Sequence, residues 1–140
     1  MLALEACLER IEAEGLDALM GRHASAAAAT RAGALALGGG LEPYVYEAAE
    51  AAPVATTLRA PAGTDASELV AKALAADPSV PLAAGGGALA GEMIRVNHYG
   101  VDATPEMVRR SLAALGAALR DSGAVVDLAA AERAVTEAPR

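Results

Sequence analysis

The side chain best equipped for chemistry in this sequence is Arg95, in the run Met93-Ile94-Arg95-Val96-Asn97, where apolar and polar residues alternate. A period of two predicts a strand with Ile94 and Val96 on one face and Met93, Arg95 and Asn97 on the other. An arginine fixed on a strand presents a planar fork that matches a carboxylate through two parallel hydrogen bonds. Arg95 is therefore a candidate for orienting an amino or keto acid. The same spacing also fits a solvated or salt-bridged surface arginine, and spacing alone leaves both readings open.

The other reactive side chains read as structural. His98 falls on the strand face of Ile94 and Val96, and His23 lies on the apolar stripe of a long helix, so both are expected to be packed and hydrogen-bonded. Two histidines far apart, with no carboxylate at ligand spacing, do not make a metal site. Lys72, the sole lysine, points away from the Leu69, Val70, Ala73 and Leu74 face of a short helix and reads as solvated. Cys7 has no nearby base and reads as a small packed residue, while Ser67 and Ser111 lie within helices and form no nucleophile elbow. Gly85, Gly86, Gly87 and Gly91 match neither a dinucleotide fingerprint nor a Walker loop, since Ala90 stands where the last glycine would be; they predict a turn.

Several elements must position Arg95. Leu4, Leu8 and Ile11 recur at helical spacing up to Gly15, and a longer stripe runs from Leu16 through Leu19, Met20, His23, Ala27, Thr30 and Ala34 to Leu37, stopping at Gly38-Gly39-Gly40. Residues 38 to 53 have no clean period and read as a loop. Val54 to Ala60 alternates as a strand, and Asp65 three residues before Glu68 predicts the start of a helix that ends at Asp77-Pro78. Val80 to Ala84 reads as a short strand before the glycine turn. Thr104 and Pro105 open a helix whose Val108, Leu112, Leu115 and Leu119 share a face, and a tail helix is expected from about Val125 to Val135. This order predicts an α/β (α+β) arrangement over residues 1–140 as one domain, a small antiparallel three-stranded sheet covered on one side by helices.

Composition sets limits on partners. There is no Phe or Trp, and much of the apolar content is alanine, so the core is expected to be thin and to gain from leaning on a partner surface. A net charge of −7 with no basic cluster beyond Arg109-Arg110 argues against nucleic acid or an anionic membrane as the main partner. Glu5, Glu9, Glu12 and Glu14 are wrong for a signal peptide, the apolar runs are too short for a membrane span, and one cysteine gives no disulfide framework. The default expectation is a reducing, cytoplasmic setting.

Glu14-Gly15-Leu16, Arg22-His23, Arg31-Ala32-Gly33, Thr56-Thr57-Leu58-Arg59-Ala60-Pro61 and above all Gly91 to Gly100 are similar, in order and separation, to the last third of the class V (alanine–glyoxylate and serine–glyoxylate type) aminotransferases. The resemblance covers nearly the whole chain and implies the small carboxy-terminal domain of a fold-type I, pyridoxal 5'-phosphate-dependent enzyme. In that family a late strand reads roughly R-I-G-H-x-G, and its arginine binds the substrate carboxylate; Arg95 takes that place by resemblance. His98 and Gly100 keep the pattern, whereas Asn97 replaces a glycine and puts a side chain near the proposed site.

The resemblance further implies transfer of an amino group between a small amino acid and a 2-oxo acid such as glyoxylate or pyruvate, in a homo- or hetero-oligomer. The family's Schiff-base lysine and cofactor-binding parts have no counterpart in this sequence. Pyridoxal phosphate would then be held by a large domain or partner chain, and the isolated chain would be inactive. Two alternatives stay open at this point: a non-catalytic carboxylate-binding module, and a truncated gene product.

Overall fold

A computed structural model describes residues 2–139. Helix α1 (Leu2–Glu14) leads through Gly15 into α2 (Leu16–Leu37); then follow β1 (Glu42–Pro43), β2 (Ala55–Arg59), α3 (Ala66–Ala76), β3 (Leu82–Ala84), β4 (Met93–Asn97), α4 (Pro105–Asp121) and α5 (Leu128–Glu137). The strands form one antiparallel sheet in the order β1-β2-β4-β3.

The local signals operate as expected. The Asp65 carboxylate accepts from the Ser67 and Glu68 amides at 2.8 and 3.1 Å, and Thr104 Oγ1 accepts from the Met107 amide at 3.2 Å ahead of Pro105. Each thereby satisfies amides that a helix start leaves unpaired. The tail helix begins later than its apolar residues indicate. Val126 is held in a bridge to Gly38, so Asp127 becomes the cap and accepts from the Ala130 amide at 2.8 Å.

The sheet has four strands where three were expected. The added strand, β1, is two residues long and lies inside the segment read as a loop, too short to show any alternation. It sits at the sheet edge, where a proline can stand without breaking an internal ladder, and the Tyr44 amide donates to the Thr57 carbonyl just beyond it.

Helices cover one face only. Leu58, Ile94 and Val96 point into the core at 0 to 1% exposure, against a layer in which α2 and α3 pack on the sheet and α4 packs on both. With no Phe or Trp to fill space, density comes from close approach. A Cβ at Gly33 of α2 would meet Leu112 Cδ1 and lie 2.7 Å from Val135 Cγ2, and one at Gly116 of α4 would lie 2.7 Å from Leu128 Cδ2. The helices cross at backbone distance through these glycines, which gives the Arg31-Ala32-Gly33 motif a packing role.

The first helix departs from the expectation drawn from its apolar stripe. Leu4, Leu8 and Ile11 do lie on one face, but that face is exposed, as are Leu16 and Met20 at the start of α2. Cys7, read as packed, is exposed as well. Spacing identifies which residues share a face; it carries no information on whether anything covers it.

Gly33→Ala sets two effects against each other. Helix propensity favours alanine by about 1 kcal/mol, whereas forcing a methyl between Leu112 and Val135 costs about 1–3 kcal/mol. The close contacts decide the sign, so the variant is expected to unfold at a lower temperature than the wild type in a calorimetric scan. An equal or higher midpoint would show that the crossing is looser than described.

Candidate functional site

The uncovered face of the sheet presents Arg59 and Thr57 from β2, Met93, Arg95 and Asn97 from β4, and Ala83 from β3. Arg95 stands opposite Thr57 on one side and Ala83 on the other, while Asn97 faces Ala55. The arginine therefore rises from a floor of small side chains, and its own side chain is exposed.

The two arginines of this face differ in their surroundings. Arg59 lies 4.3 Å over the Tyr44 ring and pairs with Glu92 at 3.3 Å, and the Tyr44 hydroxyl donates to the same carboxylate. Arg95 makes no ion pair or side-chain hydrogen bond among the described residues. Its full fork of donors is turned to solvent, free to meet a planar anion.

The covered side of β4 is secured by His98, which is 1% exposed and shares a 2.9 Å hydrogen bond between Nε2 and Thr56 Oγ1 of β2. Among the described residues its Nδ1 is buried without a hydrogen-bond partner, so the ring is less fully satisfied than a packing role predicts. Burial, with lesser repulsion from Arg31, pushes the imidazole down to about 4; the nearby carbonyls of His98 and Pro53 oppose the shift.

His23 does more than fill the stripe of α2. Its Nδ1 donates to the Leu19 carbonyl at 2.7 Å and its Nε2 accepts from the Gly100 amide at 3.1 Å, which requires the neutral ring with the proton on Nδ1. Beside it, Arg22 binds both carboxylate oxygens of Glu14 at 2.6 and 2.9 Å and donates to the Gly100 carbonyl at 2.6 Å. The turn that follows β4 is thus tied to α2 by side chains that spacing placed only on a helix.

No protein-family model matches the chain. It is 34% identical over 120 residues to pyridoxamine–pyruvate transaminase of Mesorhizobium japonicum, covering 86% of this chain and 30% of that protein. In structure it superposes on ureidoglycine–glyoxylate aminotransferase of Bacillus subtilis with a TM-score of 0.85 at 29% identity, and on pyridoxamine–pyruvate aminotransferase of Mesorhizobium loti with 0.84 at 28%. These matches cover 96 and 95% of this chain, and 34 and 33% of those chains. The chain resembles the class V aminotransferases in sequence and in fold. It corresponds to their small carboxy-terminal part and spans about a third of the length of the relatives it matches.

Complete aminotransferases of this family imply dependence on pyridoxal phosphate, and the described residues of this chain do not build a holder for it. Lys72 Nζ donates to Ser122 Oγ at 3.1 Å on the helical side, away from the uncovered face. The glycine turn is folded on itself: a Cβ at Gly85 would lie 2.5 Å from the Leu89 carbonyl oxygen, and one at Gly91 would lie 3.0 Å from the Asp65 carboxylate. A closed turn with a carboxylate beside it does not cradle a phosphate. Among the described residues no cluster of His, Cys, Asp or Glu has the geometry of a metal site. No helix there is long and apolar enough to cross a membrane. Arg110, half of the basic pair in α4, is taken up by Asp77 at 2.7 Å.

The buried imidazole makes stability depend on pH. His98 in the unfolded chain titrates near 6.5 and in the fold at about 4, so between these values the unfolded state binds more protons. The contribution is fully present above about pH 6.5 and is lost as pH falls towards 4. Denaturant midpoints measured across this window should fall for the wild type by more than for His98→Asn. Parallel curves for the two proteins would remove His98 as the cause.

Proposed function

We propose that this chain forms the substrate-carboxylate side of a pyridoxal-phosphate-dependent aminotransferase that moves an amino group between a small amino acid and a 2-oxo acid such as pyruvate or glyoxylate. The Arg95 fork binds the carboxylate common to both substrates, and the lysine and cofactor come from a larger part, in the same or another polypeptide. The observation that carries this reading is Arg95 itself, unpaired on an open floor of small residues while its neighbour Arg59 is neutralised. The names of the relatives agree with it, since pyruvate and glyoxylate are both 2-oxo carboxylates.

The larger part has a surface to seat on. Leu4, Leu8 and Leu16 are 66, 51 and 60% exposed, and α1 packs mainly on α2. A second copy of this chain is a poor cover, because Glu5, Glu9 and Glu12 flank the stripe in a chain of net charge −7 and would face their own kind. A body with an apolar seat and a basic rim fits instead, in a reducing cytoplasmic setting and as a homo- or hetero-oligomer. When bound there, pyridoxal phosphate supplies the electron sink for the transfer. This chain orients the carboxylate, and Asn97, two residues along the same face, adds a carboxamide beside it.

Purification from the native source under gentle conditions should yield the chain with a lysine-bearing partner or extension and with the visible absorption of bound pyridoxal phosphate. In that assembly, Arg95→Ala removes two charge-assisted hydrogen bonds, about 1.5–3 kcal/mol each, and should raise KM for the 2-oxo acid by about 100-fold or more. Arg95→Lys, which keeps the charge and loses the fork, should recover only part of this. Unchanged KM and turnover in Arg95→Ala would show that another residue holds the carboxylate.

A further inference from the structure

The Glu14-Gly15-Leu16 and Arg22-His23 motifs lie far from Arg95 in sequence, yet they meet the turn that ends its strand. The Arg22 guanidinium is divided between a carboxylate and two backbone carbonyls. Its Nε and Nη2 go to the carboxylate of Glu14, the last residue of α1, and its Nη1 goes to the carbonyls of Gly100 at 2.6 Å and Ala103 at 3.4 Å. His23, one residue on, accepts the Gly100 amide, so both polar groups that Gly100 contributes to the backbone are held by adjacent residues of α2.

Besides two backbone bonds, from the Gly15 amide to the Ile11 carbonyl at 2.8 Å and from the Leu19 amide to the Gly15 carbonyl at 3.0 Å, the joint between α1 and α2 is open. Gly15 has φ +84°, and a Cβ there would find nothing within 4 Å. The Glu14–Arg22 pair is thus the side-chain link that sets the angle of α1, and Arg22 holds the Glu14 carboxyl below the usual carboxylate range. The exposed side of α1 and the turn face each other across a groove lined by Cys7, Ile11, Leu19, Tyr99 and Val101. A body seated on the stripe of α1 would therefore touch the turn as well.

We propose that Glu14 and Arg22 are positioning residues, forming a strut that transmits the seating of α1 to the turn after β4 and so to the setting of Arg95. Only the last link, to substrate binding, rests on the function proposed above; the strut itself acts in the free chain. Displacing α1 moves Glu14, Glu14 carries Arg22, and Arg22 releases or tightens the carbonyls of Gly100 and Ala103. Gly100 lies three residues beyond Asn97, at the end of the strand that presents Arg95. The ladder fixes the register of Arg95, so what the seating of the larger part would adjust is the turn that closes the end of its strand.

Residue-resolved amide hydrogen exchange on the chain of 140 residues tests this directly. Glu14→Gln keeps the shape of the side chain and removes its charge. It should speed exchange at Gly100, bonded to His23, and at Asp102, bonded to the Tyr99 carbonyl, by about five- to tenfold, the factor for one hydrogen bond of ordinary net strength. Amides of α3 and of the β2–β4 ladder should keep their wild-type rates. Arg22→Lys should show the same local pattern, since an ammonium cannot span both partners. Wild-type exchange at Gly100 and Asp102 in Glu14→Gln overturns the strut, and so does a uniform acceleration throughout the chain, which would mark the pair as general stabilisation. Arg95→Ala should leave these rates unchanged, so loss of the carboxylate reading and loss of the strut are separate results.

Discussion

The register of β4 is the constraint on which the rest depends. The strand is hydrogen-bonded on both edges, with Thr56 opposite Val96 on one side and Leu82 opposite Val96 on the other. Burial of Ile94 and Val96 then forces Arg95 outward, because consecutive side chains alternate across the sheet. A slip of one residue would bury a guanidinium and expose two branched aliphatics, an exchange no alanine-rich core could absorb. The placing of the candidate site and the formation of the core are therefore one event. His98 extends the same logic past the strand end, where its bond to Thr56 ties the covered side of β4 to β2.

The helical layer is fitted around this strand by closeness more than by bulk. Large side chains usually supply contact area, but here Gly33 and Gly116 let three helices approach until their neighbours' side chains fill the gap. Such an arrangement gives good density where elements meet and leaves little apolar material to spare at the margins. α1 lies at that margin, attached through a glycine joint and an ion pair, with no core of its own.

Much of this was legible in the sequence because it is local. Asp65, Thr104 with Pro105, and the glycines after α2 and α4 mark helix ends through bonds spanning two to four residues, and the alternation in β4 fixes faces without reference to any partner. What depends on distant contacts was not legible. β1 exists only because β2 offers it an edge, and the tail helix is delayed because Val126 meets Gly38. The second role of His23 requires Gly100, 77 residues away. The exposure of Cys7 and of the α1 stripe is likewise a property of what surrounds them. For Arg95 the sequence pattern supplied the face, and the structure added that its neighbours are small and its fork unpaired.

The uncovered stripe of α1, continued by Leu16 at the start of α2, also governs how this chain can change by mutation. In a chain that always stood alone, replacing Leu4, Leu8 or Leu16 by polar residues would sacrifice almost no packing and would improve solubility, so drift would erode the stripe first. In a chain that is seated on a larger body, each replacement removes buried apolar area worth about 1.5–3 kcal/mol per side chain, and selection would hold the leucines in place. The stripe is thus a historical record as well as a surface: leucines persisting at three exposed positions among close descendants would mean that something has been covering them.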